Sequence, residues 1–144
     1  MPHIDRSIEI QAPPTVVWGW FATQEALRRW FSPNLEIDLQ VGGVYRFFGP
    51  DDKTWISGEV LELKPEDRLI LSWIEEGGDW KYPKRLVISL SPTPAGTRVT
   101  LTHEGFDGIG TPDWRATMED YRRGADEHRI LEKLAELVDA DGSV

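Results

Sequence analysis

Apolar and polar residues alternate with period two over most of the chain, interrupted by two stretches of helical spacing. In HIDRSIEIQA, Ile4, Ile8 and Ile10 stand among polar neighbours, the alternation of a half-buried strand. PPTVVWGWFA then changes period: Val17, Trp18, Phe21 and Ala22 fall at helical spacing, and Pro13 or Pro14 suits a first helical turn. Thr23 is placed to cap a second short helix, QEALRRWF, with Leu27, Trp30 and Phe31 on one side and Pro33 at its end.

Strands resume in pairs. LEIDL and VYRFFG flank Gly42-Gly43, TWISGEVLELK and RLILSWIEE flank Pro65-Glu66-Asp67, and KRLVISLSP and TRVTLTHEGF flank Thr93 to Gly96. Strand after strand joined by short turns predicts an antiparallel meander. Beyond the DGIG loop the period returns to that of a helix. Thr111-Pro112-Asp113 reads as its start, with Thr111 as N-cap and proline in the first position. Trp114, Met118, Tyr121 and Ala125 follow at i, i+4, i+7 and i+11, and Leu131, Leu134, Leu137 and Val138 continue the stripe. Gly124 marks a kink or a junction of two helices in tandem, and a frayed tail is expected from about residue 139. The order is a strand, two short helices, about six antiparallel strands and a long C-terminal helix. This predicts one α+β domain over 1–144, a curved sheet wrapped around the late helix, with the space between them as the natural place for a ligand.

Composition narrows the function classes. At 144 residues about 68–70% of the unfolded surface can be buried, so a sizeable core is within reach. Sixteen Lys and Arg against 25 Asp and Glu leave a net charge of −9, which argues against nucleic acid and anionic membrane surfaces as partners. The absence of cysteine excludes disulfides, thiolate zinc sites and a Cys nucleophile. No apolar stretch approaches a membrane span and MPHIDRSIEI is not a signal peptide, so no membrane insertion and a cytoplasmic location are expected.

Candidate chemistry is sparse. His103 and Glu104 look like an acid–base pair, but neighbours on a strand point to opposite faces. If Val99, Leu101 and His103 face inward, Glu104 faces outward, which leaves His103 as a polar contact within the interior. Glu59 is a second inward candidate, although Val60 as a core residue would turn it outside. Histidines at 3, 103 and 128 have no metal-ligand spacing, and there is no HExxH, no GxSxG elbow and no phosphate loop in GFDGIG. No metal or other cofactor is expected. The seven tryptophans and their aromatic neighbours are more informative. Tyr45 and Phe47 share one strand face, as do Leu69, Leu71 and Trp73, and Leu86, Ile88 and Leu90; these sets are placed to face Trp114, Met118 and Tyr121. Two readings stand together, plain core packing and an apolar small-molecule pocket with a few polar groups.

VGGVYRFFGPD, GEVLELKPEDRLILSW, TPAGTRVTLTHEGF, the late helix and the N-terminal IEIQAPPTVVWGWFATQEALRRWF together resemble the homologues of the activator of heat-shock protein 90 ATPase, of the START-like (SRPBCC) superfamily. The resemblance covers nearly the whole chain, and its motifs are mostly structural. It implies a helix-grip fold, a long C-terminal helix held in a curved antiparallel sheet around a hydrophobic cavity. The family often has Gly-Trp where this helix has Gly124-Ala125, so the ligand need not match a relative's. The eukaryotic co-chaperone carries a separate N-terminal domain that is not seen here, so stimulation of a chaperone ATPase is not expected of this stretch by itself. The resulting expectation is non-enzymatic binding of a hydrophobic or aromatic small molecule, with Tyr45, Phe47, Trp73, Ile88, Leu101, His103, Trp114, Met118 and Tyr121 lining the site. The alternatives are a polyketide cyclase-like enzyme, which needs two or more titratable groups converging inside, and a chaperone-linked interaction module, which needs an exposed apolar patch.

Overall fold

The computed structural model describes residues 2–49 and 53–142. Strand β1 (His3–Ile10) is followed by two helices, α1 (Pro14–Trp18) and α2 (Gln24–Trp30). Six strands come next: β2 (Glu36–Ile37), β3 (Val44–Phe48), β4 (Trp55–Lys64), β5 (Arg68–Glu75), β6 (Lys84–Thr93) and β7 (Gly96–Glu104). A 3-10 turn (Phe106–Gly108) leads to helices α3 (Trp114–His128) and α4 (Ile130–Gly142). The strands form one open antiparallel sheet in the order β1-β7-β6-β5-β4-β3-β2. The meander pairs each strand with the next, and β1 closes onto β7. This is the helix-grip architecture.

The inward face carries the core. Ile4 and Ile10 on β1, Tyr45 and Phe47 on β3, Ile56 and Val60 on β4, and the inward residues of β5 to β7 are buried. Leu131, Leu134 and Val138 bring α4 onto this face, together with Val17, Phe21, Leu27 and Trp30 from the α1–α2 region. Helix α4 is thus held by a regular apolar stripe. No residue of helix α3 is fully buried, and Tyr121 packs half-buried against the core. The gripped helix is firmly seated in its second half and lightly seated in its first.

Three local features differ from the sequence expectations. β2 spans only two residues where LEIDL predicts five, because Leu35 turns into the core and the chain reverses early. The reversal docks on β4, where Gly42 N–H donates to Val60 C=O and Gly43 C=O accepts from Val60 N–H, with Gly42 at φ +85°. Thr111 is not the N-cap of α3. The helix begins at Trp114 with Asp113 at the cap position, while Thr111 is buried and its hydroxyl has no hydrogen-bond partner. The two tandem helices meet at Arg129, not Gly124. Arg129 adopts a left-handed conformation (φ +49°) that interrupts the helical ladder, whereas Gly124 lies within α3. Helix α4 runs to Gly142, beyond Val138, the last member of its apolar stripe. Other details follow the sequence: the Thr23 hydroxyl accepts from Ala26 N–H at 3.1 Å and caps α2.

Among the described residues, no helix is long and apolar enough to cross a membrane, and no group of three or more His, Cys, Asp or Glu is placed to hold a metal ion.

Candidate functional site

The inward series on β5 runs Leu69, Leu71, Trp73 and then Glu75. On β6, read backwards, it runs Leu90, Ile88, Leu86 and then Lys84. On β7 it runs Val99, Leu101 and then His103. On three adjacent strands the apolar alternation therefore ends in a titratable residue, and the antiparallel register puts all three at the same end of the sheet. Trp73 pairs with Lys84, and Leu86 pairs with His103.

Lys84 is only 1% exposed. Its Nζ lies 2.5 Å from His103 Nδ1. It also sits 4.4 Å from the Trp73 ring centroid, 5.0 Å from Tyr121 and 5.3 Å from Phe106. These rings form an aromatic enclosure that favours a cation through their π faces. The roof is Tyr121 from α3. Its hydroxyl donates to Glu75 Oε2 at 2.5 Å and accepts from Trp73 Nε1–H at 2.9 Å. The His103 ring meets Trp73 and Tyr121 edge-on, at 5.2 and 5.4 Å between centroids. Phe106 is fully buried in the 3-10 turn after β7. That segment is tied to the β5–β6 loop by Lys81 and Tyr82, whose N–H groups donate to Ile109 C=O.

Burial dominates the electrostatics. It pushes the Lys84 ammonium well below the ordinary lysine range, opposed by the charge of Glu75. The His103 imidazole is held well below its ordinary value by burial first and the Lys84 charge second. The Tyr121 phenol is pushed well above its ordinary value, again by burial and then by Glu75. At 2.5 Å there is room for one proton between the two nitrogens. A charged Lys84 donates to Nδ1; a neutral one donates there when the imidazole proton is on Nε2 and accepts when it is on Nδ1. The arrangement brings an amine, an imidazole, a phenol and a carboxylate together among apolar rings. These groups can bind a polar atom or relay a proton.

The candidate residues from the sequence divide into four groups. Trp73, His103 and Tyr121 are brought together. Phe47 adjoins them, 5.4 Å from Trp73 between ring centroids, and Tyr45 stacks beside Phe47. The Tyr45 hydroxyl is turned away to donate to Ser72 C=O at 2.6 Å. Ile88 and Leu101 are buried in the core floor. Trp114 and Met118 lie half-buried further along α3, so Tyr121 is the helix residue that closes the cluster. The apparent His103–Glu104 dyad is split by strand geometry, with Glu104 paired to Arg85 at 2.6 Å. Glu59 is exposed, opposite to buried Val60, and His128 is exposed on α3.

Two members, Lys84 and Glu75, are absent from the sequence reading. The signal was available, because extending each apolar alternation by one step reaches them. Beneath α3 these side chains and rings pack against one another. An open groove of about 770 Å³ lies on the outer face, lined by Val44, Arg46, Ser57, Glu59, Ser72 and Ile74 among others.

Comparison with known proteins bears on this geometry. A protein MLL2253 from Mesorhizobium loti has a similar solved structure, with TM-score 0.80, 22% identity, and coverage of 96% of this chain and 98% of that one. DynU16, from the dynemicin biosynthetic locus, superimposes with TM-score 0.75 at 20% identity, over 95% of this chain and 47% of its own. The Aha1 dimer of Colwellia psychrerythraea gives TM-score 0.67 at 18% identity, over 97% and 96% of the two chains. At these identities the likeness is one of fold. No curated protein sequence matches the chain. The family model described as activator of Hsp90 ATPase homolog 1-like protein matches residues 11–139, nearly the whole fold, and the chain belongs to that family.

Proposed function

We propose that the chain binds a hydrophobic or aromatic small molecule between α3 and the sheet, with the Lys84–His103–Tyr121 cluster meeting its polar end. One observation carries this reading: titratable groups converge on an aromatic inward face directly beneath a helix that contributes no fully buried residue. A few polar groups at the end of an apolar enclosure are the usual make-up of a small-molecule site. Trp73, Phe47 and Tyr45 supply the aromatic wall, Ile88 and Leu101 the floor, and Trp114 and Met118 the outer margin on α3. The lightly held helix gives a way in, since its displacement uncovers Tyr121 and then Lys84.

A second reading shares the site. A proton-transfer enzyme of the cyclase kind needs at least two titratable groups converging inside, and Lys84, His103, Tyr121 and Glu75 meet that requirement.

A thermal-shift panel of benzyl alcohol, 2-naphthol and decanoic acid tests the binding reading. Binding to the native state alone raises stability by about 2.7 kcal/mol at a ligand concentration of one hundred times Kd. The expected result is a rise in Tm with at least one aromatic member, diminished by Tyr121→Ala. No shift with any member, and an interior still closed in crystals grown with them, would end the proposal.

A further inference from the structure

We propose that Lys84 is a covalent anchor: its Nζ condenses with a carbonyl group entering beneath α3, so the ligands of this site are aldehydes or ketones with an aromatic or hydrophobic body. This rests on the binding reading above and names its ligand class. The geometry is that of a sequestered amine with one hydrogen-bonding neighbour. Lys84 Nζ lies 2.5 Å from His103 Nδ1 and is surrounded by Trp73, Tyr121 and Phe106. A lysine among apolar rings next to a second basic nitrogen is the setting in which an amine becomes a nucleophile at neutral pH. Burial also favours the uncharged amine, in keeping with this role.

The step balances without a further reactant. The Nζ lone pair attacks the carbonyl carbon, a C–N bond forms, and the carbonyl π pair moves to oxygen. With its own proton on Nε2, His103 accepts a proton from the nitrogen at Nδ1 and returns it to that oxygen. The second amine proton follows as the C–O bond breaks, water leaves, and a C=N bond remains. The reverse sequence, with water, releases the ligand. The Trp73, Phe106 and Tyr121 rings that face the amine would enclose the ligand body, which accounts for an aromatic wall around a reactive group.

The test uses the intact chain at neutral pH with benzaldehyde and sodium cyanoborohydride, which reduces a C=N bond to a stable benzylamine. Peptide mass spectrometry then locates the adduct. Benzyl alcohol has no carbonyl and reports binding alone, through the Trp73 indole NMR signal. The expected result is one adduct per chain, on Lys84, formed at least about tenfold faster than on the exposed Lys64, Lys81 or Lys133, and absent in a folded Lys84→Arg variant. Adducts on the exposed lysines only, with benzyl alcohol still shifting Trp73, would overturn the covalent proposal and leave the binding reading intact. No adduct on Lys84 and no shift of Trp73 would overturn both.

Discussion

The Nζ of Lys84 and the Nδ1 of His103 stand 2.5 Å apart on adjacent strands, inside the sheet's apolar face. Two basic groups so close cannot both be charged at modest cost, and burial disfavours either charge. The pair therefore ties stability to pH. The folded values of both groups lie below their ordinary ones, 6.5 for histidine and 10.5 for lysine, so the unfolded chain binds more protons in each window. Stability rises with pH through those windows and is lost as pH falls. Tyr121 works in the opposite sense. Its value is raised above 10.0, so above that pH the unfolded chain loses its proton first and stability falls. Urea midpoints are expected to climb from acid pH to about pH 9 and to decline above about pH 10, with Lys84→Met flattening the climb. A wild-type profile flat between neutrality and pH 9 would contradict this.

Replacing the two partners singly is expected to give unequal results. Lys84→Met keeps an apolar stem of similar length and removes the more costly buried group, although His103 Nδ1 loses its partner, so its loss at neutral pH is expected to be the smaller of the two. His103→Ala leaves the Lys84 amine buried without its partner and is expected to cost about 1–3 kcal/mol beyond the loss of packing. Equilibrium urea denaturation of both variants checks this, and equal losses would count against the pairing.

Tyr121→Phe isolates one hydroxyl. That oxygen donates to Glu75 and accepts from the Trp73 indole N–H, so its removal leaves two groups without this partner while the ring stays in place. The expected loss is about 1–3 kcal/mol, with faster exchange of the Trp73 indole proton by NMR. An unchanged indole exchange rate would show that the hydrogen bond is not formed in solution.

Most of the fold was legible because period-two alternation and turn residues agree. β1, β3 to β7 and the Thr23 cap all follow from local signals. The departures have physical causes that composition does not carry. Leu35 is apolar and in register for a strand, yet the Asp38–Gly43 reversal shortens β2. The left-handed residue between α3 and α4 is Arg129, a residue type that carries no such signal. Parity alone placed His103 inward and Glu104 outward. Lys84 and Glu75 are one step beyond the apolar members, where Leu90-Ile88-Leu86 extends to Lys84 and Leu69-Leu71-Trp73 extends to Glu75, and a charged residue there carries no signal of burial. Their meeting with Tyr121 depends on how α3 docks, which no local pattern encodes.

Helix α3 is expected to open more readily than the rest of the fold. It has no fully buried residue, whereas α4 buries Leu131, Leu134 and Val138. Regions with few buried apolar contacts open at lower free energy. In hydrogen-exchange mass spectrometry, peptides from 114–128 are expected to exchange before those from 130–138 and from β5 to β7. Equal protection of α3 and α4 would remove the proposed way in.

The most direct measurement of the central claim, an interior ligand site beneath α3, is NMR mapping with the same aromatic panel. The expected result is a set of shifts centred on the His103 ring, the Trp73 indole and Tyr121, lost in Tyr121→Ala. Shifts confined to the outer groove at Val44, Arg46 and Ser57, or none with any panel member, would contradict it.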